Sequence, residues 1–297
     1  HITFLRSSAK PLQALSVVLS GAANRFELTD EEISVISGSH GGEPIHLGAV
    51  KSILTKIGLT PLHLRCGVHP PLDRLARAAL LKSGEPPTML HHNCSGKHAG
   101  MLATAVHLGV SVEDYLSLGS LVQQNITRDI SRFADVDPER IEIGIDGCSA
   151  PVHGLTMRAA ALAFARLVDP AGLPDEEAAA ARRVSQAMRR HPEMVAARRE
   201  RICSELIRAC TGFDLIAKGG AEGFYAVGWR DPETGGGVGM TVKIEDGAQR
   251  ARDPLVIALL QRFGLLPVEL EENLRPFAPT VVRNFSGLEV GRVNIRM

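Results

Sequence analysis

A chain of 297 residues with 44% apolar and 22% charged residues is long enough to form one large domain around a sizeable core. Thirty-three basic residues balance 33 acidic ones, so no basic field exists to hold a nucleic acid or an anionic membrane. No apolar run approaches the roughly 20 residues that cross a bilayer. Five cysteines, an odd number in a large chain with no recognisable leader, predict reduced thiols and a cytoplasmic setting.

The opening RSSAKPLQ leads into a helix with Leu12, Leu15 and Leu19 on one stripe, Pro11 in the first turn and Gly21 as its stop. SGSHGGEPIH reads as a loop. A helix follows it through Val50, Ile53, Leu54 and Ile57, stopped by Gly58. A second loop, HHNCSGKHAG, runs into a helix through Met101, Leu102, Ala105 and Leu108, and the apolar spacing over 113–134 predicts another. RIEIGID alternates Ile141, Ile143 and Ile145 as a short strand, feeding a third special loop, DGCSAPVHG. Alanine-rich helices extend to about residue 210. FYAVGWR and GMTVKIE then flank DPETGGG as a hairpin, with the glycines as turn material. A helix over 253–263 and a strand in LEVGRVNIR close the chain. The β material gathers late, so the expectation is a single α+β domain: an antiparallel sheet packed with helices, plus a helical subdomain over roughly 60–210.

Three loops carry chemistry. Ser7 and Lys10 lie three apart on a helix start, so hydroxyl and amine can share a face. A serine needs a base, and a lysine serves if burial lowers its pKa; the plain alternative is an N-cap serine. Ser39 is a second candidate nucleophile, in a glycine-rich loop whose backbone N–H groups near Ser39 and Gly41 suit an oxyanion. His40 beside it reads as a structural hydrogen-bonding residue. In HHNCSGKHAG, Cys94 and His98 at i, i+4 could share a metal with Cys148, although buried free thiols explain the same spacing. Asp146 is placed to bind an amino group or to cap a helix. Lys218, in AKGGAEG, follows a short apolar run, and Glu222 either holds it or faces water. Cys66, Cys203 and Cys210 read as packing residues and Trp229 as hairpin core.

Taken together, RSSAKPLQ, SGSHGGE, RCGVHPP, HNCSGKHAGML, GIDGCSAPVHGL and KGGAEGFYAVG resemble the rhizobial-type L-asparaginases. These form the asparaginase II family, separate from the threonine-nucleophile asparaginases. The resemblance runs from Arg6 nearly to the C-terminus, in order. It implies a fold similar to the serine β-lactamases and serine-dependent glutaminases. It also implies hydrolysis of L-asparagine to L-aspartate and ammonia. Two Ser–Lys pairs are implied, Ser7 with Lys10 and Ser39 with Lys218, without deciding which serine attacks first. A zinc is implied beside the site, on Cys94, Lys97 and Cys148, with His98 nearer the substrate. Arg6 would then hold the substrate α-carboxylate and Asp146 its α-ammonium. A homodimer fits the same resemblance. Members usually carry a further β-forming segment ahead of RSSAKP, whereas this sequence opens almost on that motif. The competing readings are a Ser–Lys hydrolase of another amide and a non-catalytic zinc- or amino-acid-binding protein.

Overall fold

The leucine stripe of the opening motif forms helix α1 (Lys10–Leu19), entered from a 3-10 turn over Arg6–Ala9 with Pro11 in its first turn. The computed structural model describes residues 1–278 and 281–296. Every residue from Lys10 to Val17 is buried, so α1 is covered all round and is the central helix rather than a one-faced surface helix. Full burial of Leu12 and Leu15 contributes roughly 2 kcal/mol each.

Helices α2 (Ala22–Arg25) and α3 (Asp30–Ser37) follow. A capping box starts α3: Glu32 N–H donates to Thr29 Oγ1 at 3.2 Å, and Thr29 N–H to the Glu32 carboxylate at 2.8 Å. The apolar-spacing reading passes over α3 because it is only two turns long. Its start signal, Thr-x-x-Glu, is present in the sequence. Then come α4 (Pro44–Lys56), α5 (Arg74–Ser83), α6 (Ser95–Leu108) and α7 (Leu121–Ala134). Helices α8 (Met157–Val168), α9 (Asp175–Arg190), α10 (Pro192–Val195), α11 (Ile202–Ala209) and α12 (Gln249–Arg262) complete the set. Residues 113–120 are turns rather than helix. The amphipathic helix begins only after Ser120, whose Oγ accepts from Val122 N–H.

The strands form antiparallel sheets. Strands β1 (Ile2–Phe4), β2 (Glu142–Ile145) and β3 (Pro151–Thr156) lie in the order β1-β3-β2. Register pairs Ile2 with Thr156 and Glu142 with Gly154. The stretch expected as the special loop DGCSAPVHG thus ends in the central strand of a sheet. Strand β3 is buried from Pro151 to Leu155, which erases the alternation that marks a half-exposed strand. The region 60–210 is consequently not purely helical, and β structure is not confined to the last third.

The second sheet, β4 (Ile216–Gly219), β5 (Phe224–Arg230) and β6 (Gly237–Lys243), contains the expected hairpin, with Trp229 buried in it. Gly237 and Gly239 belong to β6 rather than to the turn. A Cβ added to Gly239 would fall 1.8 Å from Ala161 O, so a bare backbone there lets α8 lie directly on the hairpin. A small hairpin, β7 (Val281–Arg283) with β8 (Glu289–Arg292), lies near the end. The result is an α+β architecture with antiparallel sheets. Among the described residues no helix is long and apolar enough to cross a membrane.

One close packing bears directly on the chemistry. A Cβ on Gly96 would sit 2.4 Å from Val35 O, and one on Gly100 would sit 2.8 Å from Ile36 Cγ2. These two glycines, one turn apart in α6, let α6 press against α3. That contact brings the HNCSGKHAG motif to the segment that carries Ser39.

Candidate active site

Helix α3 ends at Ser37, and the extended Gly38 presents Ser39 just beyond it. Ser39 N–H donates to Val195 O at 2.8 Å, and Asp73 N–H donates to Gly41 O at 2.8 Å, which pins the loop on both sides. The Ser39 N–H is therefore engaged and is not free to serve an oxyanion, contrary to expectation. Lys10, the first residue of α1, and Lys218, in β4, are both almost fully buried. Each places Nζ 2.9 Å from Ser39 Oγ. Lys10 Nζ also donates to Asn93 O at 3.1 Å, and Lys218 Nζ to Gly219 O at 2.8 Å.

Burial lowers the pKa of both amines, Lys218 to about 7 with help from the nearby charges of Lys10 and Arg201. Near neutral pH Lys218 is then shared between its ammonium and its free-base forms. A buried amine that can shed its proton is what a serine hydroxyl needs as a base.

Two separate Ser–Lys pairs were expected. The structure instead gathers both lysines on Ser39. Ser7, in the 3-10 turn before α1, lines the same cavity of about 400 Å³ as Ser39 and Lys218. Among the described residues its hydroxyl makes no hydrogen bond within the protein. Ser8 Oγ donates to Lys218 O at 2.7 Å, tying that turn to β4. Gly220 permits the approach, since a Cβ there would fall 2.6 Å from Leu5 O.

His40 is buried and structural, as its position suggested. Gly42 N–H donates to its Nδ1 at 3.2 Å, which leaves Nε2–H to donate to Ser95 Oγ at 2.8 Å, and Ser95 donates on to Leu90 O. Burial holds its pKa well below the usual range, so the ring is a neutral strut between the Ser39 loop and the start of α6.

Arg6 bonds the Asp146 carboxylate at 2.7–2.8 Å and also pairs with Glu222. Glu222 therefore holds Arg6, neither grasping Lys218 nor simply facing water. Burial pushes the Asp146 carboxyl up, but Lys97 and Arg6 outweigh it and keep it below its ordinary value. Arg6 has φ of 51°, an uncommon conformation for a non-glycine residue; it sits in the turn that presents Ser7.

Cys94, Lys97 and Cys148 converge in the interior. Lys97 Nζ lies 3.0 Å from Cys148 Sγ. A hydrogen bond from Cys148, together with Lys10 and Lys97, draws the Cys94 thiol well below its usual pKa. Among the described residues no three His, Cys, Asp or Glu side chains group as a metal site, so a third protein donor beside the two sulfurs would be the amine of Lys97. Two thiolates and a neutral amine suit a borderline-soft cation such as zinc. His98 is fully buried rather than on the cavity wall. Its Nδ1 contacts Tyr115 OH at 2.6 Å, and its Nε2 finds no hydrogen-bond partner among the described residues. Burial lowers its pKa to about 4. As residue i+4 from Cys94 on α6, it lies beside Lys97 and Cys148.

The family model for L-asparaginase II matches residues 1–295. The chain belongs to the L-asparaginase II family. No curated protein matches it. In this asparaginase-family chain the structure adds cavity residues that the sequence reading passed over. Cys203, read as packing, lines the cavity and accepts from Gly219 N–H at 3.2 Å and Tyr225 OH at 3.4 Å. Asn93, Arg201 and Arg252 also line it. Asn93 adjoins Cys94 in a motif already dense with polar side chains, which was a usable signal. Arg201 sits in an arginine-rich connector with no periodic or spacing cue.

Proposed function

We propose that this chain hydrolyses the side-chain amide of L-asparagine to L-aspartate and ammonia through a Ser–Lys acyl-enzyme. The observation that carries this reading is Ser39 Oγ held at 2.9 Å by each of two buried lysines. A site built this way moves protons between hydroxyls and amines without a histidine. The finer fold assignment, serine β-lactamase- and glutaminase-like, belongs to the same proposal.

The two serines divide the work. Ser39 Oγ takes a hydrogen bond from each lysine, so its lone pairs are occupied and it acts as the relay. Ser7, with an unengaged hydroxyl on the cavity wall, attacks the amide carbon. Its proton passes to the amine of Lys10. The C–N bond breaks, and Ser39, touching both lysines, delivers a proton to the departing nitrogen. Water then cleaves the ester, releasing aspartate and restoring Ser7. Arg6 and Asp146 hold the α-carboxylate and α-ammonium. In the free protein they pair with one another, so a zwitterion enters by exchanging partners with no net change of buried charge.

Cys94, Lys97 and Cys148 would hold the zinc. When bound it supplies a fixed positive charge joining the start of α6 to the loop after β2. That loop carries Asp146 two residues before Cys148, so the metal's place in this reading is to set the ammonium-binding carboxylate. A homodimer in the cytoplasm completes the proposal.

The test is ammonia release from asparagine and from glutamine, with and without added zinc, by the wild type, Ser7→Ala and Ser39→Ala. Each substitution is expected to lower kcat by about 10³-fold or more. A trapped aspartyl adduct should map by mass spectrometry to the peptide containing Ser7. An adduct on Ser39 would reverse the division of roles, and full activity in both variants would sink the mechanism.

A further inference from the structure

Asparagine in the reading above makes no use of Arg201, which lines the cavity. It carries one carboxylate and one ammonium, which Arg6 and Asp146 take up between them. The cavity measures about 400 Å³, within the range that holds ligands much larger than a nine-atom amino acid. Two arginines line it, Arg201 and Arg252.

Arg252 is accounted for by the fold. Its guanidinium bonds Asp253 at 2.6–2.7 Å and Gly220 O at 3.1 Å, and it stacks over the Tyr225 ring at 5.3 Å. Arg201 is different. Among the described residues it has no carboxylate partner, and its one contact is a long one, Nη2 to Ser39 O at 3.4 Å. The neighbouring Glu200 turns instead toward Arg74, at 3.9 Å. A half-buried guanidinium without a counter-ion, on the wall of a cavity, is a ready partner for an anionic group.

Its position says which part of a substrate would meet it. Arg201 reaches the carbonyl of Ser39, the residue read above as proton donor to the departing nitrogen. Any substituent on that nitrogen lies on the Ser39 side, and so toward Arg201. We propose that the site also cleaves β-aspartyl amides whose leaving amine carries a carboxylate, the β-aspartyl dipeptides, with Arg201 binding that carboxylate. This inference rests on the amidohydrolase reading. The chemistry balances without a new reactant. Ser7 Oγ bonds to the side-chain carbonyl carbon, the C–N bond breaks, and the amino acid leaves with a proton from Ser39. Water then hydrolyses the ester to aspartate.

The experiment compares β-aspartyl-glycine with β-aspartyl-glycinamide, which differ only in that carboxylate, alongside asparagine. Release of glycine or glycinamide is followed by amino-acid analysis for the wild type, Arg201→Gln and Arg201→Lys. The wild type should prefer the free carboxylate by about tenfold or more in kcat/KM, the scale of one charge-assisted contact. Arg201→Gln should bring that ratio close to one, and Arg201→Lys should retain part of it. The preference in the wild type is informative even if a variant misfolds. Turnover of asparagine with no cleavage of either dipeptide overturns the inference and leaves the asparaginase reading intact. Absence of turnover on all three compounds overturns both. Equal cleavage of the two dipeptides, or a preference that survives in Arg201→Gln, removes Arg201 from the role. Relief of aspartate inhibition in Arg201→Gln without any dipeptide preference would assign it to the product carboxylate instead.

Discussion

Replacing Lys218 with methionine should abolish turnover and at the same time stabilise the protein near neutral pH. Lys218 is almost fully buried and its pKa falls from 10.5 to about 7, chiefly through desolvation. The unfolded chain keeps its proton up to about 10.5, whereas the folded chain releases it near 7. Between those values the unfolded state binds more protons, so stability rises with pH across that window. Below pH 7 the full cost applies, roughly 5 kcal/mol. At pH 7 it is roughly 4 kcal/mol, and by pH 10.5 it has nearly vanished. Methionine of similar length removes this cost but leaves Ser39 Oγ and Gly219 O without their 2.9 and 2.8 Å partners. That loss offsets about 1–3 kcal/mol. The net expectation at pH 7 is a gain on the order of 1–3 kcal/mol, seen as a higher urea midpoint at unchanged slope. The advantage of Lys218→Met over the wild type should shrink steadily toward pH 10. A variant less stable than the wild type at pH 7, or a difference that stays flat with pH, would refute the depressed lysine. The wild-type kcat/KM should rise with pH as Lys10, the base for Ser7, loses its proton below the ordinary lysine range.

Three other outcomes test neighbouring parts of the site. Lys97→Arg keeps the charge but offers no lone pair, so zinc retained after dialysis should fall as far as in Cys94→Ser; wild-type retention would exclude Lys97 as a ligand. His40→Ala strips the partners of Ser95 Oγ and Gly42 N–H and leaves a void, which should cost about 3 kcal/mol in chemical denaturation. Gly96→Ala would gain roughly 1 kcal/mol on an isolated helix. Here its Cβ would meet Val35 O at 2.4 Å, so a net loss of about 2 kcal/mol or more is expected, and a neutral thermal shift would contradict the tight contact of α6 with α3.

Local spacing made much of the architecture legible. The Leu12–Leu15 stripe, the Val50–Ile57 repeat and the flanked DPETGGG turn each encode one element within a few residues, and α1, α4 and the β5–β6 hairpin form there. The site residue types were also readable, because serine, lysine and cysteine in glycine-rich loops stand out against an apolar background. The failures have physical causes. Strand β3 is covered on both faces and shows no alternation. Gly237 and Gly239 look like turn material, yet serve as contact surface for α8. The contact of His98 with Tyr115, 17 residues further along the chain, lies beyond the reach of helical spacing.

By itself, then, the sequence determined which segments become helices and hairpins, and which side chains had the chemistry to act. Tertiary structure decided their partners. Lys10 and Lys218 lie 29 and 179 residues from Ser39, and they meet only because α1 is buried at the centre while β4 is tied to its entry turn through Ser8. The exposure of Arg201 to the cavity likewise depends on where α10 and α11 pack. Periodicity reports a residue's own environment over a turn or two of chain. Convergence of distant residues depends on which faces are buried together, and that is fixed only when the core closes.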